Sequence, residues 1–154
     1  MQAEPKEKEA ADNSALAPFA QLAGEWVGKG MHGDEHEMNV VYKVTAAGSA
    51  VVETIAPGTE HEMITVIHPD GDSLLLTHYC MLGNQPHMRA KPKTGDKSVA
   101  FEFVNVTNLK SEKDPYMRSV TFTFVDKNTL KSEWKHYVDG KEADTVVLEL
   151  KRKK

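Results

Sequence analysis

A chain of 154 residues with 40% hydrophobic and 27% charged residues fits one globular domain able to bury a core without staples. The net charge of −4, with acids and bases interspersed, excludes a basic nucleic-acid face, and the tail Lys151-Arg152-Lys153-Lys154 reads as a solvated strand end. The single cysteine excludes an intramolecular disulfide, and no apolar run approaches the ~20 residues of a membrane span.

The chain starts MQAEPKEKEAADNSA, rich in Ala, Glu and Lys with almost nothing to bury. Residues 1–16 are therefore expected to form a disordered tether ahead of a domain at 17–154. No signal peptide is visible. Such a tether suits a periplasmic or secreted protein whose export signal was replaced by an initiator Met, and equally a cytoplasmic one.

Ala17 to Gly24 reads as a short helix, with Pro18 in its first turn and Gly24 as its C-terminal cap. From Trp26 the period changes to alternation. Turn residues at 46–49, 57–58, 69–72, 83–84, 94–96, 126–128 and 139–140 separate strand candidates. These lie at 25–31, 36–45, 50–55, 61–68, 73–80, 87–92, 98–105, 118–126, 129–138 and 144–152. About ten evenly spaced strands after one short helix predict an all-β fold, an antiparallel up-and-down barrel, with a two-sheet sandwich as the alternative.

Gly24-Glu25-Trp26 after a short helix resembles the G-x-W opening of lipocalins and related calycins. The longer Gly24-x-Trp26-x-Gly28-x-Gly30 resembles the opening of nitrobindin-like haem proteins. The stretch from Glu53 to Met88, with PGTEHEM, LLLTHYC and GNQPHM, is similar to uncharacterised bacterial lipocalin-like proteins. These resemblances imply a barrel that holds a small apolar ligand, with Trp26 packed across its closed end.

Hairpin arithmetic places the polar residues. A turn at 69–72 sets Leu76 opposite Thr65, His78 opposite Met63 and Cys80 opposite His61, all on an uncharged, more apolar face assigned inward. A next turn at 81–86 sets Cys80 opposite His87 and His78 opposite Arg89, which would then also point inward. On 129–138 the apolar face carries Leu130, Trp134 and Val138, so Ser132 and His136 point inward with the tryptophan. A three-residue turn at Asp139-Gly140 with a glycine bulge pairs Trp134 with Val146 and Leu130 with Leu150. Counting alternate rims brings His61, His78, Cys80, His87, Arg89 and His136 to one open rim, together with the turn from His32 to His36.

Four readings follow. The favoured one is a binding site for a partly apolar ligand with an anionic head group, made by His61, Met63, His78, Cys80, His87, Arg89, Trp134 and His136. Haem is the second, with His136 as the inward axial ligand that the nitrobindin-like resemblance implies. An enzyme is the third: a Cys80 thiolate activated by His61, Arg89 receiving an oxyanion and Glu53 as orienting acid. A metal held by His61, His78, Cys80 and His87 is the fourth, without a tight ligand motif such as C-x-x-C. A fully packed barrel with these groups hydrogen-bonded to one another is the functionless alternative.

Overall fold

Period-two alternation cut by turn residues produces ten strands in a computed structural model that describes residues 13–29 and 37–154. They are β1 Gly24–Lys29, β2 Glu37–Thr45, β3 Ala50–Ile55, β4 Met63–Asp70, β5 Ser73–Tyr79, β6 Gln85–Ala90, β7 Ser98–Thr107, β8 Tyr116–Asp126, β9 Thr129–Val138 and β10 Lys141–Arg152. Each strand pairs antiparallel with its sequence neighbour, and β1 also pairs with β10, closing the barrel. The expected up-and-down barrel is the fold, and the sandwich is excluded. The expected turn from His32 to His36, Gly30 of the opening motif and residues 1–12 of the expected tether lie outside the described residues.

The described residues take in the end of the expected tether. Ser14–Leu16 form a 3-10 turn that runs into helix α1, Ala17–Ala20, and Leu16 is buried in the core. The helix is shorter than expected. Its last carbonyls, those of Phe19 and Ala20, accept from the N–H groups of Leu22 and Ala23, and Gly24, expected as its cap, instead opens β1 at φ 131°.

Helix α1 plugs one end of the barrel. Phe19 is fully buried and meets Phe101, Phe122 and Phe124 edge-on, with centroids 5.8, 5.2 and 5.3 Å away. Trp26 is also fully buried, donating from Nε1 to the Leu22 carbonyl at 2.8 Å. The Arg152 guanidinium stacks over its ring at 4.5 Å and donates to the carbonyls of Gln21 and Ala23. Arg152 is thus a clamp on the closed end, not the solvated tail residue expected. Gly28 sits where β1 meets β10: a Cβ there would lie 2.1 Å from the Glu149 carbonyl oxygen. Trp26 and Gly28 of the opening motif therefore have packing roles, and Gly24 a conformational one.

Three registers decide which side chains face inward. The β4–β5 turn is the tight pair Gly71-Asp72, so His78 stands opposite Thr65 and not Met63. The slip is two residues, and the expected inward face survives. The β9–β10 pairing is as expected, Trp134 with Val146 and Leu130 with Leu150. The extra residue is taken up between Glu142 and Asp144, while Asp139 and Gly140 make the two-residue turn with φ 54° and 72°.

The β5–β6 hairpin departs from expectation. Gly83 at φ 84° lets the loop close tightly, with the Cys80 N–H donating to the Asn84 carbonyl and the Gly83 N–H to Cys80. Thr77 then pairs with His87, and Leu76 with Met88. That is an odd slip from the expected register, which turns His87 and Arg89 to the outside.

Candidate functional site

The rim opposite α1 carries the turns after β3, β5, β7 and β9. Large side chains fill the barrel near the helix, but β-strand ends near this rim carry a cavity of about 350 Å³. Its wall is largely apolar, built from Met38, Met63, Met117 and Trp134, with Met81 and Leu82 from the β5–β6 loop at its mouth. The polar groups on it are His78, Cys80, His136 and Asp144. Such a volume and lining are typical of small-molecule sites. Two larger hollows, about 610 and 560 Å³, are made mainly of loop residues beside the helix and of outward-facing strand residues, and bring no comparable group of inward side chains together.

Five of the eight expected site residues meet here: Met63, His78, Cys80, Trp134 and His136. The other three do not. His61 lies in the turn before β4, exposed, with Glu60 at 3.8 Å as its neighbour. His87 is on the outer wall, its Nδ1 at 3.1 Å from Thr77 Oγ1. Arg89, also outside, donates to Asp70 at 3.2 Å. The anion receiver expected at the rim is therefore absent from the cavity, and so is the base expected for Cys80. Burial raises the Cys80 thiol pKa, only partly offset by the N–H groups of Leu82 and Met81. A raised thiol is a poor nucleophile at neutral pH, which removes the support for thiolate chemistry. Among the described residues, no three His, Cys, Asp or Glu side chains gather to hold a metal ion.

His136 gains a partner that sequence reasoning passed over. Its Nδ1 is 2.9 Å from Asp144 Oδ1, and its Nε2 is buried without a hydrogen bond. The signal was present, because the β9–β10 register that pairs Trp134 with Val146 also pairs His136 with Asp144.

His78 is 2% exposed and packs against Trp134, ring centroids 4.6 Å apart. Its Nδ1 is 2.9 Å from Thr65 Oγ1. Burial lowers its pKa from 6.5 to about 4, so the ring is neutral near neutral pH. Behind Thr65 lies Glu53, 1% exposed and directly opposite in the ladder. Tyr42, opposite Glu53 on the other side, donates to Glu53 Oε2 at 2.5 Å. Burial raises the Glu53 pKa, against smaller opposing effects of the Tyr42 and Thr65 hydroxyls. The Tyr42 pKa is raised too, first by burial and then by the Glu53 charge. Glu53, expected as the orienting acid for Cys80, instead stands between Tyr42 and Thr65 in the ladder.

No protein-family model and no curated protein matches the sequence. Solved structures do match in fold. Rv2717c from M. tuberculosis superposes with a TM-score of 0.63 at 13% identity, covering 91% of this chain and 98% of that one. A protein of unknown function from the DUF3598 family of Nostoc punctiforme gives 0.58 at 14% identity, covering 88% of this chain. This chain spans about half of that protein's length, 49%. The chain is a closed ten-strand antiparallel barrel of the kind both structures share, and at these identities the likeness shows the fold alone.

Proposed function

We propose that this barrel is a lipocalin-like binding protein for a small, partly apolar molecule held in the methionine-lined cavity at the open rim. One observation carries the reading: His136 Nε2 is buried at the cavity with no hydrogen bond, while Asp144 fixes the ring through Nδ1. An unmade hydrogen bond at a buried nitrogen costs about 1–3 kcal/mol, which a ligand's polar group would recover. Asp144 holds the hydrogen on Nδ1, and in that tautomer Nε2 is the acceptor. The head group this favours is a donor such as a hydroxyl and not the expected anion, because Arg89 lies outside the barrel on Asp70. The flexible thioethers of Met38, Met63 and Met117 suit an apolar body of variable shape.

Native mass spectrometry of the purified chain should find a co-purified small molecule. Apolar alcohols should quench Trp134, and His136→Ala should weaken their binding about tenfold, the worth of one good hydrogen bond to a buried group. No quenching by any such ligand would overturn the proposal.

The same histidine supports haem as the second reading. An Asp-oriented imidazole with its other nitrogen unshared is the arrangement that an axial ligand needs. The resemblance of Gly24-x-Trp26-x-Gly28-x-Gly30 to nitrobindin-like proteins points the same way. His136 would supply the iron's protein ligand, in the cavity that Met117 and Trp134 also line. Added haemin should then give a Soret band that His136→Ala loses; no band sinks the haem reading and leaves the first intact.

A further inference from the structure

Tyr42, Glu53, Thr65 and His78 occupy one row of cross-strand partners, running across β2, β3, β4 and β5. Tyr42 lies in the packed half, its ring 6.3 Å from Trp26, whereas His78 lines the cavity. The row therefore climbs from the floor of the barrel to the binding space. Four adjacent polar side chains in an apolar interior are costly, and well-packed apolar residues would serve stability at least as well. Their polarity calls for another explanation.

We infer that this row is a proton relay, and that the cavity takes the proton of a weakly acidic ligand of the phenol class. The inference rests on the cavity of the binding reading above, and seats the acidic hydroxyl of a phenol on His78 Nε2 rather than on His136 Nε2. A hydrogen-bond distance gives the first link and the strand register gives the second. His78 borders the cavity, its Nδ1 is 2.9 Å from Thr65 Oγ1, and Thr65 is the cross-strand partner of Glu53, with its hydroxyl near enough to favour the Glu53 carboxylate. Tyr42 anchors one carboxylate oxygen, Oε2, and leaves Oε1 buried with no hydrogen bond. Oε1 is the vacant acceptor.

The transfer balances without a co-reactant. The ligand O–H bond breaks as an N–H bond forms at His78 Nε2. The Nδ1 proton passes to Thr65 Oγ1, whose own proton passes to Glu53 Oε1. The imidazole is neutral before and after, and one negative charge moves from Glu53 to the ligand oxygen. This route suits a ring whose burial resists becoming a cation and a carboxylate whose burial favours proton uptake. The groups that face Glu53 are Tyr42 from β2, Thr65 from β4 and, through Thr65, His78 from β5.

The test uses 4-nitrophenol, whose phenolate is yellow and whose phenol is colourless, at a pH where the free probe is mostly phenol. Binding is read by Trp134 quenching and ionisation by the phenolate band. In the full chain, bound probe should ionise with an apparent pKa at least about one unit below that of free probe. Thr65→Val and Glu53→Gln should still quench but lose the phenolate excess, and Thr65→Ser, which keeps the hydroxyl, should restore it. Circular dichroism identifies a variant that fails to fold, in which case the Thr65→Val and Thr65→Ser pair decides. Probe bound as phenol by the wild type overturns the relay and leaves the binding reading standing. Phenolate undiminished in Thr65→Val does the same, assigning the proton to another base such as His136. Absence of quenching by the probe removes the relay's ligand class, while quenching by the alcohols above still supports the binding reading.

Discussion

Acid should cost this barrel stability through His78. Its ring is 2% exposed, and burial holds its pKa at about 4 against 6.5 in the open chain. The folded value is the lower one, so the folded state resists taking up the proton. The neutral ring's contribution is fully present above 6.5 and is lost as pH falls toward 4. At ~1.4 kcal/mol per pH unit, the gap between those values amounts to about 3 kcal/mol by pH 4. That is a large share of the ~5–15 kcal/mol that holds a typical domain together.

Glu53 acts in the opposite sense. Its folded pKa is raised from 4.5, so its contribution is complete below 4.5 and is lost as pH rises through the folded value. The two effects overlap, and wild-type melting alone does not separate them. Urea denaturation of wild type and His78→Gln at matched pH does. The stability advantage of the wild type should shrink by about 3 kcal/mol between about pH 7 and pH 4. The C2 proton of His78 followed by NMR should titrate near 4, shared in part with Glu53 as coupled groups do. A constant difference across the range, or a midpoint near 6.5, would refute the burial argument.

Three further outcomes follow from the packing. Gly28→Ala drives a Cβ into the Glu149 carbonyl and must part β1 from β10, so it should cost about 1–3 kcal/mol and lower Tm by roughly 3–10 °C in calorimetry. Arg152→Ala removes the guanidinium from the Trp26 ring and from the Gln21 and Ala23 carbonyls, and should cost about 1–2 kcal/mol after solvent screening. Arg152→Lys should recover less than half of that, because an ammonium lacks the planar fork. Iodoacetamide at neutral pH should label Cys80 several-fold more slowly in the folded chain than in urea, since burial raises its thiol pKa. Equal rates would contradict that environment.

Much of the architecture is local information and was legible. Alternation located all ten strands within a few residues, because a half-buried strand must present every second side chain to the core. Turn signals at Gly71, Gly83 and Gly140 marked hairpins whose glycines do take left-handed φ. Even a wrong β4–β5 pairing left His78 inward, because a slip of two residues preserves the face.

The site was legible only where registers could be computed from side-chain matching. Trp134 opposite Val146 fixed β9 against β10, and with it His136. The β5–β6 hairpin offered no such match. One glycine closing the loop early turned His87 and Arg89 through the wall and removed the expected anion site. His61 was lost because β4 begins only at Met63, leaving that histidine in a solvated turn.

The sequence by itself determined the strands, the closed meander and the helix end, since each follows from the pattern of neighbouring residues. Only the tertiary structure decided that the barrel is packed at one end and hollow at the other, and that Tyr42, Glu53, Thr65 and His78 share a row. Those facts depend on which residues from distant strands stand opposite one another in a tilted, closed sheet. Periodicity along one strand does not encode its stagger against the next, and a single residue of stagger exchanges inside for outside.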